Sequence, residues 1–518
     1  MKLRAVLVLE GVGAALLLLF PYFLPLLQYS NIPLYHHLLP ITNLLGGALV
    51  DLLGLSLLAV GFLVVVQVLP RTLQRTLNAL FIGLMLWRIV DIAILMQTNL
   101  TIGTYWSGLR EKFFVAILLL PGVLALFLPR IMQSVVRVVG LVIASFALCT
   151  IWIIPQLLHL MLTHPPDESA AFIHRSPLSH STSSQRIIWI LYDELSYDQA
   201  FDHRATDMKL PNLDRLHSES ASFSNLTPAG FYTDRIIPSL FLGQRIDQIR
   251  STADGYLSYD NKSQHRWTAF DPNATLFGFA QQNGWSTGVD GWLNPYCRIL
   301  APVLNVCIWR SDDPFLLEPF GASEDKSALA NAAVLPYAVL ARLSNSGATP
   351  ENAHLEDYGK VMARAHALID DNQVRFVFLH LPVPHPPGIY DRQRHTLRPG
   401  GTYLDNMVLA DDSLGTLMQE IDATPSASQT TVIVSSDHSW RIPIWRPLRS
   451  WSSEEERATG GRFDQRPVLL IHFPGQKSGN DFNAALPELL EHDVIAEMLR
   501  GRMNKPEDLS AFLSQHGR

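Results

Sequence analysis

Residues 186–199 read RIIWILYDELSYDQ, an apolar run of strand length that ends at two acids, Asp193 and Glu194. The same plan returns in RFVFLHLPVPHPP (375–387), where a strand ends in His380 and a Pro-rich loop holds His385. It returns again in TTVIVSSDHSWR (430–441), a β-branched strand ending at Asp437 and His438, and RPVLLIHFPG (466–475) is a further apolar strand. Helical patterns such as DYGKVMARAHALIDD (357–371) lie between them. Strands alternating with helices predict an α/β domain with a mostly parallel central sheet. In such sheets ligands bind beyond the carboxyl ends of the strands, and that is where these acids and histidines stand.

Taken one at a time, each motif has a plain structural reading. An Asp-Glu pair after a strand can cap the next helix, Ser-Asp-His can be a capped turn, and His380 can be a hydrogen-bonded histidine and nothing more. Recurrence of carboxylate and imidazole groups at the same end of several strands points to a shared site. Carboxylates with imidazole suit a hard or borderline divalent cation, Zn²⁺ ahead of Mn²⁺, over copper or an iron–sulfur cluster.

Upstream of these strands the composition changes. The chain of 518 residues is 48% hydrophobic and only 17% charged, and the shortage of charge falls on residues 1–163. Stretches long enough to cross a bilayer, about 20 residues each, lie near 5–27, 42–69, 77–98, 113–129 and 134–162. Lys2, Arg4, Arg71, Arg75, Arg130 and Arg137 flank one side of these stretches, while the loop 28–41 has no Lys or Arg and 99–112 has only Arg110 and Lys112. The positive-inside rule puts the N-terminus in the cytoplasm, and an odd number of spans delivers everything after residue 163 to the outer side. Inside the third span, Arg88 and Asp91 share a helical face and read as a neutralised pair within the bundle. Residues 164–186, rich in Pro, Ser and His, read as a linker, and 187–518 as a water-soluble domain.

The net charge of −7 and the lack of any Lys/Arg cluster argue against nucleic acid as a partner. Cys149 lies in an apolar run and reads as a small buried hydrophobe. Cys297 and Cys307, in YCRILAPVLNVCIW (296–309), have no metal-type spacing. Outside the cytoplasm they read as a disulfide; the other reading is two core thiols.

One segment carries a family resemblance. LPNLDRLHSESASFSNLTPAGFYTDRIIPSLFLG (210–243) resembles the sulfatase-like branch of the alkaline phosphatase superfamily through Pro211, Asn212, Asp214, Leu216, Phe223, Asn225, Thr233, Pro238, Ser239 and Gly243. Sulfatases place a Cys or Ser at the position of Thr233 and convert it to formylglycine. Thr cannot be converted in that way, so the resemblance leads away from sulfate esters. Thr233 ahead of a Pro-Ser pair is similar to the phosphoethanolamine and phosphoglycerol transferases, such as lipid A phosphoethanolamine transferases and lipoteichoic acid synthases. Those proteins carry five transmembrane helices before an extracytoplasmic catalytic domain. The end of the chain, ELLEHDVIAEMLRGRMNKPEDLSAFL (488–513), looks like the family's closing helices. Where those transferases have many disulfides and a Gly-Glu-Thr-type first motif, this chain has one candidate disulfide and Tyr192-Asp193-Glu194-Leu195-Ser196.

The resemblance implies an alkaline-phosphatase-like α/β sandwich, multi-pass in a bacterial cytoplasmic membrane, with its catalytic domain on the periplasmic or extracellular side. It implies Thr233 as nucleophile and Glu194, Thr233, Asp437 and His438 as ligands of one divalent metal ion, with Asp193 either a further ligand or a group behind the ligands. His385 would protonate the leaving oxygen, His380 is a weaker candidate for that contact, and Arg235 is either a phosphate holder or an ordinary helix-face charge. The implied reaction transfers a phospholipid head group through phospho-Thr233 to a glycan or lipid acceptor. The alternatives are a hydrolase using water and a catalytically inert membrane scaffold on the same fold.

Overall fold

The computed structural model describes residues 2–27, 41–98, 116, 120, 129–163, 172–174, 184–251, 257–261, 266–310, 350–448 and 450–516. These fall into two compact units that meet in sequence at Pro166 and Asp167.

The first unit is helical: α1 (Lys2–Leu27), α2 (Ile41–Val68), α3 (Arg71–Thr98), α4 (Pro129–Phe146) and α5 (Thr150–Thr163). Ala14, Leu17, Phe20, Ala79, Ile82, Met85 and Ile143 form its core. Leu57, Leu58, Ile151 and Trp152 face outwards, each at least 65% exposed, an arrangement that water disfavours and lipid does not. Among the described residues, two stretches are long and apolar enough to cross a membrane, Leu49–Val68 and Ser134–His159, and α1 carries a shorter apolar stretch, Ala5–Phe20. Five were expected. The expected span 113–129 lies almost wholly outside the described residues. In α3 the charged residues lower the hydropathy, and Arg88 donates to the carbonyls of Leu17 and Leu18 of α1 at 3.1 and 3.2 Å. The Asp91 side chain, its expected partner, lies outside the description. Cys149 is half-buried, not buried, because it sits in the short 3₁₀ turn Ala147–Cys149 that joins α4 to α5.

The second unit is built on a nine-stranded sheet. Its strands are β1 (Phe172–His174), β2 (Arg186–Tyr192), β3 (Ala221–Phe223), β4 (Thr287–Trp292), β5 (Val306–Arg310), β6 (Phe376–Leu381), β7 (Thr430–Ser436), β8 (Leu469–His472) and β9 (Asn480–Phe482). Their spatial order is β1-β5-β4-β6-β2-β7-β8-β3-β9. The run from β5 to β7 is parallel throughout; only β1 and β8 oppose it. The mostly parallel α/β reading therefore holds. The expected linker is not linker throughout, since three of its residues pair with the free edge of β5 and form β1.

Alternation along β2 fixes both layers. Ile188 and Ile190 face a core shared with Leu213 and Leu216 of α6 (Pro211–Glu219), Val361 and Leu368 of α8 (Pro350–Asp370), and Met407 and Leu414 of α9 (Tyr403–Ala423). Trp189 points the other way, edge-on to Phe378 of β6 and Phe241 of α7 (Thr233–Leu242). The expected closing helices are α10 (Leu490–Leu499) and Pro506–His516. Cys297 and Cys307 are disulfide-bonded.

Candidate active site

Three neighbouring parallel strands, β6, β2 and β7, end side by side, and the predicted residues stand at those ends. Asp193 follows β2; its N–H donates to Leu381 O at the end of β6, and its carbonyl accepts from the N–H of His385 at 3.1 Å. Asp437 follows β7, and its Oδ1 accepts from the backbone N–H groups of Glu194 (3.1 Å) and His438 (2.9 Å).

Thr233 opens α7 and is 3% exposed. Its Oγ1 lies 3.1 Å from His438 Nε2 and 3.4 Å from Asp193 Oδ2. Developing negative charge on this oxygen would meet the positive end of the helix dipole. The rest of the 210–243 motif holds this helix in place. Gly243 caps α7 with φ +65°, and a Cβ there would lie 2.5 Å from His492 Cδ2 of α10. Asn212 is tied through its N–H and its amide to Asp411 of α9.

Glu194 has φ +65°, a left-handed conformation that costs a non-glycine residue about 1–2 kcal/mol. Tyr403 secures the turn by donating its hydroxyl to the Glu194 carbonyl at 2.7 Å. The Glu194 carboxylate is bound by Arg441 Nε and by Trp445 Nε1, the latter at 3.0 and 2.9 Å from its two oxygens.

The buried cluster has three carboxylates, Asp193, Glu194 and Asp437, against the single guanidinium of Arg441, a surplus of negative charge that is costly away from water. Burial, and then the neighbouring Asp437, pushes Asp193 well above the usual carboxylate range. Asp437 goes the other way: burial opposes its charge, but His438 holds it below that range. Burial brings His380 down to about 4. Burial and then Arg441 take His385 well below its ordinary value.

The donor set fits a divalent cation. His438 Nδ1 lies 3.0 Å from the Ser439 carbonyl. A carbonyl can only accept, so Nδ1 donates, and Nε2 is the atom whose lone pair is open to a cation when the ring is neutral; without a cation, burial opposes the charge of His438 but Asp437 raises the ring above its ordinary value. That lone pair faces Asp437 Oδ2 at 3.0 Å and Asp193 Oδ1 at 3.9 Å, and both oxygens are buried without a hydrogen-bond partner. Acceptors converging on acceptors need a cation or a proton between them. Ligand atoms of Asp193, Asp437 and His438 lie within 4.8 Å of one another, as do those of Asp193, Glu194 and His385. Asp193 is common to both sets, whereas the family pattern favours Glu194 and leaves Asp193 open.

Other expected residues are placed differently. His380 is 0% exposed and sits behind Asp193, Nε2 to Oδ2 at 3.4 Å, so it is not positioned to touch a substrate. Arg235 spreads over the Tyr232 ring at 4.8 Å and lies 3.8 Å from Asp234 Oδ1; its described contacts are with its own sequence neighbours. The His385 ring lies between Trp292 and Trp445 at 5.1 and 5.2 Å. Burial and then Arg441 disfavour the charged form of this ring in the free site. Sequence reasoning missed Arg441, Trp445 and Tyr403. Of these, Arg441 left a signal, a cation three residues beyond His438.

No protein-family model matches the sequence, and no curated protein matches it. Among solved structures, the chain is similar to the PsFucS1 sulfatase from Pseudoalteromonas sp., with 13% identity and TM-score 0.42, covering 67% of this chain and 72% of that one. It is similar to the lipoteichoic acid synthase LtaP from Listeria monocytogenes, with 13% identity and TM-score 0.38, covering 63% and 75%. It is also similar to the phosphonate monoester hydrolase of Agrobacterium radiobacter, with 14% identity and TM-score 0.35, covering 61% and 74%. These three belong to the alkaline phosphatase and sulfatase superfamily that residues 210–243 resemble. Likeness at this level fixes neither substrate nor reaction.

Proposed function

We propose that this chain is a membrane-anchored, metal-dependent phosphotransferase that moves a phospholipid-derived phospho head group onto Thr233 and from there to an extracytoplasmic glycan or lipid acceptor. The observation that carries the reading is the hydroxyl of Thr233, buried at a helix start and held between Asp193 and His438. A residue able to form a phosphoester thus stands inside a buried carboxylate–imidazole cluster. Thr in place of Cys or Ser favours phosphoryl over sulfuryl chemistry.

Asp193, Asp437 and His438, with Glu194 beside them, would hold one divalent cation, Zn²⁺ ahead of Mn²⁺. Such a cation lowers the cost of the Thr233 alkoxide and of charge on the phosphoryl oxygens. In the first half-reaction Thr233 Oγ1 attacks phosphorus, the bond from phosphorus to the lipid alcohol breaks, and the Thr233 proton passes to Asp193 Oδ2. Asp193 suits that task by position, its Oδ2 lying 3.4 Å from Thr233 Oγ1. His385 would protonate the departing lipid oxygen. The negative charge of a bound phosphodiester would allow this neutral ring to take up the proton it donates. In the second half an acceptor hydroxyl attacks the phosphothreonine and gives its proton to His385, the bond from phosphorus to Thr233 breaks, and Thr233 Oγ1 takes back the proton held on Asp193.

The five-span arrangement belongs to this proposal. It rests on the apolar stretches and charge placement of residues 1–163, supported by the two stretches long enough to span. The Cys297–Cys307 bond fits a catalytic unit on the oxidising side of the membrane. Tethering to the bilayer concentrates the enzyme on a lipid donor without a tight lipid pocket.

The test is mass spectrometry of the Thr233 peptide after the full chain has been exposed to membranes. The adduct mass should equal a phospho head group and vanish in Thr233→Ala. An adduct that persists in that variant overturns the nucleophile assignment, and release of head-group phosphate without an acceptor replaces the transferase with a hydrolase.

A further inference from the structure

Beyond His438 the chain makes a single helical turn, Ile442–Trp445, with Arg441 at its head. The N–H of Trp445 donates to the Arg441 carbonyl at 3.3 Å, so the two side chains, four residues apart, leave the same face. Both end on Glu194. Arg441 gives it Nε, and Trp445 gives it Nε1, at 3.0 and 2.9 Å from the two carboxylate oxygens. Trp440, one residue earlier, stacks on Tyr403 at 3.9 Å and on Trp451 at 4.9 Å, which anchors the start of the turn. The guanidinium is thus held by a backbone and a carboxylate that are themselves held in place.

This arrangement uses one of its three nitrogens. Among the described residues, Nη1 and Nη2 of Arg441 make no hydrogen bond. The Arg441 side chain is 10% exposed, while the Glu194 side chain that it binds is 0% exposed. The free fork therefore stands at the accessible edge of the cluster. Asp193, Asp437, His385 and His438 all feel its charge, and Asp193 and His438 are the two residues that flank Thr233 Oγ1. Arg235, the sequence's own candidate for holding phosphate, is turned instead to Tyr232 and Asp234. With a divalent cation in place, the three buried carboxylates would still leave one negative charge. Arg441 cancels it before an anionic phosphodiester arrives.

We infer that Arg441 is the phosphoryl-binding residue of this site, its Nη1 and Nη2 donating to two non-bridging oxygens of the group that Thr233 attacks. The inference rests on the phosphoryl reading of the site proposed above. A planar fork matches two oxygens of one tetrahedral anion. It gains strength as charge spreads over those oxygens during in-line transfer. In this role Trp445 acts through Glu194, and Glu194 through Arg441, so both are positioning residues for the fork.

The experiment is calorimetric titration of inorganic phosphate into the full-length chain in detergent, with stoichiometric Zn²⁺ present. Zn²⁺ affinity is measured in parallel on the metal-free chain. Arg441→Lys keeps the charge beside Glu194 and removes the fork, and it should weaken phosphate binding about tenfold or more. Zn²⁺ affinity should be unaffected, because an arginine offers a cation no lone pair. Trp445→Phe leaves every charge in place and loosens only Glu194, and it should weaken phosphate binding about threefold. Phosphate affinity unchanged in Arg441→Lys, or lost in step with Zn²⁺ affinity, overturns the clamp. Failure of the unmodified chain to bind phosphate overturns the phosphoryl reading itself and the clamp with it.

Discussion

Arg441 binds Glu194 through Nε, at the residue where the chain turns left-handed after β2. Both side chains are nearly inaccessible, Glu194 at 0% and Arg441 at 8%. Removing one partner of such a pair leaves an uncompensated buried charge, at a cost of about 3–5 kcal/mol. Arg441→Ala should lower stability by that amount in denaturant titrations. Glu194→Gln combined with Arg441→Gln, which removes both charges, should be clearly milder. Equal losses in the two would show that the pair is not electrostatically coupled.

Metal removal should act on stability as well as on turnover. If the carboxylate surplus around Asp193 is balanced by a bound cation, chelation should abolish transfer and lower the apparent unfolding midpoint. At free metal about 100-fold above its Kd, the bound ion contributes about 2.7 kcal/mol. Adding back Zn²⁺ or Mn²⁺ should restore both quantities, and a midpoint indifferent to chelator would count against the site.

At the nucleophile, the oxygen matters and the methyl group does not. Thr233→Ala should cut transfer by about 10⁴-fold or more, as removal of a covalent nucleophile does elsewhere. Thr233→Ser, which retains an oxygen at the helix start, should stay within about tenfold of the unmodified enzyme. Single-turnover assays with a radiolabelled phospholipid measure both.

Asp411 is the partner that the Pro-Asn motif requires. It accepts from the N–H of Leu213 at 2.7 Å, the N–H of Asn212 at 3.2 Å and the Asn212 amide at 3.0 Å. Asp411→Ala would leave the N–H groups of Asn212 and Leu213 without this acceptor at the start of α6, while the Asn212 amide keeps the Asp411 carbonyl, a loss of about 3 kcal/mol. Thermal unfolding should show it with little change in metal affinity.

Glu491, on the first turn of α10, is 1% exposed, and burial pushes its carboxyl from 4.5 up to about 8, with hydrogen bonds from Ser435 and Trp189 offsetting part of the rise. The folded state then holds this proton more tightly than the unfolded chain does. The resulting stability is full below about pH 4.5 and is lost as pH climbs towards 8, with a ceiling of about 5 kcal/mol. Glu491→Gln should therefore flatten the decline in unfolding free energy between pH 5 and 8. Parallel pH curves for the two proteins would show that this carboxyl is not the cause.

Much of the architecture was legible because β2, β6 and β7 are continuous apolar runs, as strands covered on both faces must be. Their terminal residues gave away the site's position. The partners were not legible. Arg441 meets Glu194, and Tyr296 meets His380, across 247 and 84 residues of sequence, and no local periodicity reports such pairings. The placement of His380 was illegible for a related reason. A histidine at a strand end looks the same in sequence whether it faces the cleft or stands behind an acid. β1 was invisible because three residues in a Pro- and Ser-rich stretch acquire strand character only from the edge that they cover. The weak hydropathy of α3 was visible, in Arg88, but its answer, the carbonyls of Leu17 and Leu18, belongs to another helix.

The reversal at Glu194 has a consequence for how this rim can vary. In extended backbone, two consecutive acids would point to opposite faces of the sheet. Here both remain on one rim and share a neighbour, for Arg441 binds Glu194 and its charge also favours the ionised form of Asp193. The rim is thus coupled: exchanging Arg441 would retune both acids at once, while the strand and the nucleophile stay where they are.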